Sequence, residues 1–225
     1  MPSTLRLSSL LVAVVFLTLS VGAWAGERIG IYTGSFDPPH VGHRSVVKSM
    51  KERFQLDRVY VVADRLVDYK PEMQSLQDRE AMVRLLFEDD SSVNLLTPKM
   101  ERHLGRGELW DVYRVVKEAN PDAELFGLMG TDTFAWYSSV PASNRVHGVT
   151  LLVARRASDV DHFVPATLDG DPVKEVGLEN SSVSSTKIRK AIREGRAPAD
   201  LPRAVYRYIV EHGLFFREGC SDLLQ

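Results

Sequence analysis

The chain has 225 residues, 44% of them hydrophobic and 26% charged, with a formal net charge of −2. That length and composition fit one globular domain with a sizeable core and exclude a disordered chain. Lys and Arg are dispersed rather than massed, so there is no electrostatic footprint for nucleic acid, and the single cysteine, Cys220, excludes an intramolecular disulfide.

In chain order, residues 1–25 differ from the rest. Arg6 precedes an apolar run at 10–19, and Ala23-Trp24-Ala25 has the small-x-small pattern of a cleavage site. This is the layout of a secretory signal peptide, which predicts export to a periplasmic or secretory compartment. An uncleaved membrane anchor over residues 5–25 is the alternative, although the run is short for a span of about 18 apolar residues. The remainder reads as a domain over 26–216 and a short tail over 217–225.

Within that domain, residues 29–33 form an apolar run expected as a buried strand. Similar β-branched runs recur at 58–63, 93–97, 125–130 and 149–154. Between them, residues 40–54, 76–88 and 108–119 carry apolar side chains at helical spacing. Residues 155–170 are polar and turn-rich, 173–176 suit a last strand, and 184–194 and 202–212 read as two closing helices. Short buried strands alternating with amphipathic helices predict an α/β fold. Its form is a Rossmann-like, doubly wound parallel sheet with a C-terminal helical cap. Ligands of such sheets gather at the carboxyl edge of the strands.

The segment Gly34-Ser35-Phe36-Asp37-Pro38-Pro39-His40-Val41-Gly42-His43 joins the first strand to the first helix. His40 and His43 are three apart and share one helix face. Gly34 and Gly42 let backbone approach a ligand closely, and a helix N-terminus attracts anions. Together these features read as a phosphate site with two imidazole donors. A second segment, Ser184-Ser185-Thr186-Lys187-Ile188-Arg189, opens the penultimate helix. Taken alone it could be a well-capped helix and nothing more. Yet Ser185 and Thr186 share a face with Arg189, and hydroxyls, amides and a forked cation are what a polyphosphate needs. His103, His147, His162 and His212 are scattered and read as surface or core residues.

The first segment resembles the GxFDPxHxGH signature of the nucleotidyltransferase superfamily, and the second resembles its SSTxIR motif. The branch that the chain is most similar to is the bacterial nicotinate-nucleotide adenylyltransferases or their nicotinamide counterparts. Gly130-Thr131-Asp132 is similar to the family's GxD, and Trp136-Tyr137 stands where the family carries a Trp-Tyr pair. The resemblance covers residues 28–216 and implies transfer of AMP from ATP to the phosphate of nicotinate mononucleotide. Pyrophosphate leaves and deamido-NAD forms, a step of NAD biosynthesis. It implies catalytic roles for His40, His43 and Arg189. ATP would also meet Gly34, Ser35, Phe36, Gly42, Gly130, Asp132, Ser185 and Thr186.

For the acceptor, the resemblance points to Lys70, Arg79, Trp136, Tyr137 and Arg155. Trp136 and Tyr137 either stack on the pyridine or pack in the core, and Lys70 and Arg79 either meet the acceptor phosphate or are solvated charges. Mg²⁺ is expected to travel mainly on the ATP phosphates, with no protein metal cluster. The implied partners are ATP and a pyridine mononucleotide, with no nucleic acid, a membrane only if the leader stays, and room for a homo-oligomer. Two departures bear on the acceptor. Val67-Asp68-Tyr69 replaces the Pro-Pro-His that precedes the family's Lys, and residues 105–111 replace a Thr-rich segment. Glu108 in that segment would repel a nicotinate carboxylate if it lined the pocket. The alternatives are the same chemistry on nicotinamide mononucleotide or another phosphorylated acceptor, and an exported, non-catalytic nucleotide-binding paralogue.

Overall fold

A computed structural model describes residues 26–65, 72–155, 163–177 and 183–216. Residues 1–25, where a leader is expected, the expected tail at 217–225 and Lys70 lie outside the described residues. The elements run β1 (Arg28–Gly34), α1 (Val41–Phe54), β2 (Arg58–Ala63), α2 (Leu76–Leu86), β3 (Val93–Asn94), α3 (Pro98–Arg102) and α4 (Leu109–Ala119). They continue as β4 (Glu124–Gly130), α5 (Thr131–Ser139), β5 (Val149–Arg155), β6 (Thr167–Leu168), β7 (Asp171–Gly177), α6 (Ser185–Arg193) and α7 (Arg203–Glu211).

The strands form one sheet in the order β3-β2-β1-β4-β5-β7-β6. Every pairing is parallel except β6 with β7, at one edge. The chain therefore winds outward from β1 in one direction and from β4 in the other. That reversal opens a crevice at the carboxyl ends of β1 and β4, where doubly wound sheets bind their ligands.

Both faces of the sheet are covered, which is why its strands read as continuous apolar runs. On β2, Val59, Val61 and Ala63 point into the layer built with α1, α2, α6 and α7, while Tyr60 and Val62 point into the layer built with α3, α4 and α5. That alternation is the period of two that the pleat imposes. Helix starts follow capping chemistry: the side chains of Ser75, Thr97 and Ser184 accept from the backbone N–H three residues on, opening α2, α3 and α6. The expected strand over 93–97 shortens to Val93–Asn94 for the same reason. Thr97 is taken as the cap of α3 and Pro98 as its first residue, so the chain leaves the sheet early.

Candidate active site

At the end of β1 the chain turns through Phe36, which adopts a left-handed φ of 49°, and a cis Asp37–Pro38 bond. The Phe36 ring is buried and meets Tyr32 and His43 edge-on, at centroid distances of 5.5 and 5.0 Å. Two histidines then open α1 with a reciprocal cap. His40 Nδ1 accepts from the Gly42 N–H at 3.2 Å, and His43 Nδ1 accepts from the His40 N–H at 3.2 Å. This is the arrangement usually built from Ser or Thr with Glu. The two rings stack 3.8 Å apart. Because each Nδ1 is an acceptor, each neutral imidazole carries its proton on Nε2. The backbone thus sets both rings in the donor tautomer. Gly42 leaves room for this stack, because a Cβ would fall 3.0 Å from the His40 ring and press on it. His43 lines the cleft described below, while His40, 4% exposed, is packed against it from behind.

The second motif is bonded directly to the first. Ser185 Oγ donates to the Pro38 carbonyl at 2.9 Å, and Arg189 Nη1 donates to the Asp37 carbonyl at 2.6 Å. Arg189 Nη2 donates to Thr186 Oγ1, and Nη1 lies 3.8 Å from the Asp37 carboxylate. Asp37 is itself buried and accepts from the Gln74 N–H at 3.1 Å. The N-terminus of α6 is therefore held against the β1–α1 loop, with Ser185, Thr186 and Arg189 on the wall of a shared cleft.

That cleft has a volume of about 1140 Å³, just above the usual range for small-molecule sites and roomy enough for two substrates. Thr33 to Asp37 and the ends of β2 and β4 form its floor. Asp64 and Arg65 follow β2, Asp132, Thr133 and Trp136 come from α5, and Gly107 to Leu109 lead into α4. Glu108 does line the cleft. Trp136 is 47% exposed and lies nearly parallel to Trp110, with centroids 6.0 Å apart and planes 17° apart.

Three expected acceptor residues are placed elsewhere. Arg79 is 1% exposed and its guanidinium donates to three backbone carbonyls: Ser35 at 2.9 Å, Asp64 at 2.8 Å and Gln74 at 3.0 Å. It is a strut that joins the β1 loop, the end of β2 and the start of α2, and it cannot meet an acceptor phosphate. Tyr137 is a core aromatic, buried edge-on against Tyr113, and burial raises its phenol above the usual range. Arg155 makes a two-pronged pair with Glu175 on β7, at 2.6 and 2.8 Å, and does not line the cleft.

A sequence signal was available for the first two. Arg79 lies three, four and seven residues from Met82, Val83 and Leu86, on the buried face of α2. Tyr137 lies three residues from buried Phe134, which leaves Trp136 on the outer side of α5. Asp37, Asp64 and Arg65 were missed as cleft residues, although positions just after β1 and β2 are where this sheet presents ligand contacts.

Among the described residues no three His, Cys, Asp or Glu side chains converge as a metal cage. Asp64 and Asp132 do put hard carboxylate oxygens on the cleft wall from the β2 and α5 sides. This donor set suits Mg²⁺, which is commonly held by one or two carboxylates together with substrate phosphates and water.

A histidine-bearing loop and a capped helix, bonded together at the switch point of a doubly wound sheet, give an α/β protein with a nucleotide-sized cleft. The cytidylyltransferase-like family model matches residues 31–191, and the chain belongs to this family of nucleotidyltransferases. A relative from Gemmatimonas aurantiaca is 32% identical over 204 residues, which cover 87% of this chain and 96% of the relative. One from Lactiplantibacillus plantarum is 30% identical, covering 90% and 95% of the two chains. Both carry the name probable nicotinate-nucleotide adenylyltransferase. The fold matches that of Plasmodium falciparum nicotinic acid mononucleotide adenylyltransferase, solved in complex with APC and with NaAD. Those matches have TM-scores of 0.65 and 0.62, 18% identity, and coverage of 84% of this chain and 97% of that one.

Proposed function

We propose that the protein transfers AMP from ATP to the phosphate of nicotinate mononucleotide, forming deamido-NAD and releasing pyrophosphate. The observation that carries this reading is the tether between the two motifs, which sets the His43 imidazole and the Arg189 guanidinium on one cleft. The names of the relatives support the choice of acceptor.

The acceptor phosphate is already a nucleophile. One of its oxygens attacks the α-phosphorus of ATP, a new P–O bond forms, and the bond to the β-phosphate bridging oxygen breaks, so that pyrophosphate leaves. No covalent enzyme intermediate is needed, and the chain acts by positioning the reactants and stabilising charge. His43, in its Nε2–H tautomer, donates to phosphate oxygens whose charge grows in the transition state. Ser185, Thr186 and the amides at the start of α6 hold the departing phosphates, and Arg189 supplies a forked cation oriented by Asp37. Mg²⁺, held by those phosphates with Asp64 or Asp132, would supply further neutralisation of the pyrophosphate. Trp136 offers an exposed indole on which a pyridine ring can stack.

Pyrophosphate release across a panel of phosphorylated acceptors tests the reading. Nicotinate mononucleotide should be turned over, and His43→Ala should lower kcat by about 10²–10³ while ATP affinity falls far less. Turnover of another acceptor with none of nicotinate mononucleotide would overturn it.

A further inference from the structure

The acceptor end of the cleft carries opposing charges. The wall from Gly107 to Leu109 includes Glu108, and the next residue, Trp110, stacks on Trp136, so this wall and the exposed indole belong to one end of the site. A ring carboxylate arriving there meets a carboxylate of the same sign. Arg65 lines the same cleft and lies against the same wall. A Cβ at Gly107 would fall 2.9 Å from Arg65 Cδ and 3.2 Å from its Cβ, and Gly107 has a left-handed φ of 81°. Glycine at that position is what lets the arginine stem pass. The Arg65 guanidinium lies 3.6 Å from Glu101 Oε1, an ion pair longer than a hydrogen bond. Glu80 also lies within electrostatic range of Arg65, but a guanidinium has five N–H donors, and the long Glu101 pair leaves capacity for an incoming carboxylate. The phosphate of a bound mononucleotide must reach ATP at the end marked by His43 and Arg189. The acceptor group that comes to Arg65 is then the one on the ring.

We propose that Arg65 reads the ring carboxylate of the acceptor, and that Arg65 and Glu108 together set the preference between a pyridine carboxylate and a pyridine carboxamide. The proposal rests on the adenylyl-transfer reading above and goes beyond it in assigning the residue that selects the acceptor. The resemblance does not point to Arg65.

The test is steady-state pyrophosphate release at saturating ATP, with nicotinate and nicotinamide mononucleotide in turn, for the wild type and for Arg65→Met, Arg65→Lys and Glu108→Gln. Arg65→Met should raise KM for the nicotinate form by about tenfold or more, and shift KM for the nicotinamide form and for ATP by less than about twofold. Arg65→Lys should recover part of the loss, and Glu108→Gln should move the preference toward the nicotinate form. Arg65→Gln, neutral and of similar reach, gives the same readout should the methionine variant fail to fold. A parallel rise in both KM values would overturn the proposal by assigning Arg65 to the phosphate or to the scaffold, and unchanged values would overturn it outright. A wild type that turns over neither mononucleotide refutes instead the underlying reading, so the two failures are separable.

Discussion

Replacing Arg79 with methionine separates a scaffold arginine from an acceptor-binding one. The substitution keeps the apolar stem on the α2 face beside Met82 and Val83 and removes a guanidinium that serves three backbone carbonyls. Three backbone acceptors then lose this donor at a site where the arginine is 1% exposed. Leaving one buried polar group unsatisfied costs about 1–3 kcal/mol, so three carbonyls that relax together should cost about 3–5 kcal/mol in all. In a chain of this size each kcal/mol is worth roughly 2–4 °C, so Tm should fall by about 6–20 °C. Ser35 and Asp64, whose carbonyls it holds, both line the cleft, so kcat should fall as well. Arg79→Lys should rescue little, since one ammonium cannot reproduce the planar fork. The assay is thermal and urea unfolding in parallel with acceptor kinetics. A variant with wild-type Tm and a raised KM for the mononucleotide alone would refute the scaffold assignment.

Gly42→Ala should lower kcat by about tenfold, because its Cβ would press on the His40 ring and shift the stacked pair by a fraction of an ångström. The accompanying loss of a cap should cost only about 1 kcal/mol in a melting experiment, and normal kcat would show that the pair tolerates displacement. Glu80 bears on pH dependence: burial, and then the neighbouring Glu101, raise its carboxyl above the usual 4.5. A raised carboxyl adds stability below its unfolded value and loses it as pH rises through the folded value, so ionised Glu80 is a cost near neutrality. Glu80→Gln should therefore raise Tm near pH 7, with the gain shrinking toward about pH 4. Melts at the two pH values check this, and an equal gain at both would count against the burial argument.

Much of the architecture was legible because both-face burial leaves an unbroken apolar run, which β1, β2, β4 and β5 show within a residue or two of expectation. The short β3 was misjudged because an apolar run does not reveal that Thr97 and Pro98 prefer to start a helix. In the site, the loop motifs were legible because helix N-termini have a chemical signature. The acceptor side was harder. A motif position does not say whether a charge is used by the ligand or by the chain's own carbonyls, as Arg79 shows, or by a neighbouring strand, as Arg155 shows with Glu175. Glu108 stood out by its departure from the family's segment, whereas Arg65 enters the cleft through loop geometry, including the left-handed Gly107, which pattern alone does not display.

The hydrogen bonds from Ser185 to Pro38 and from Arg189 to Asp37 join residues 147 and 152 positions apart. A chain leaving the ribosome presents the histidine loop early, but the partners that steady it arrive only after β7 has been made. Closing so long a loop carries an entropic cost that is met once the sheet has already brought its ends together. The half-finished protein therefore holds a binding loop with no opposing wall, and it gains the power to grip a triphosphate in one late step.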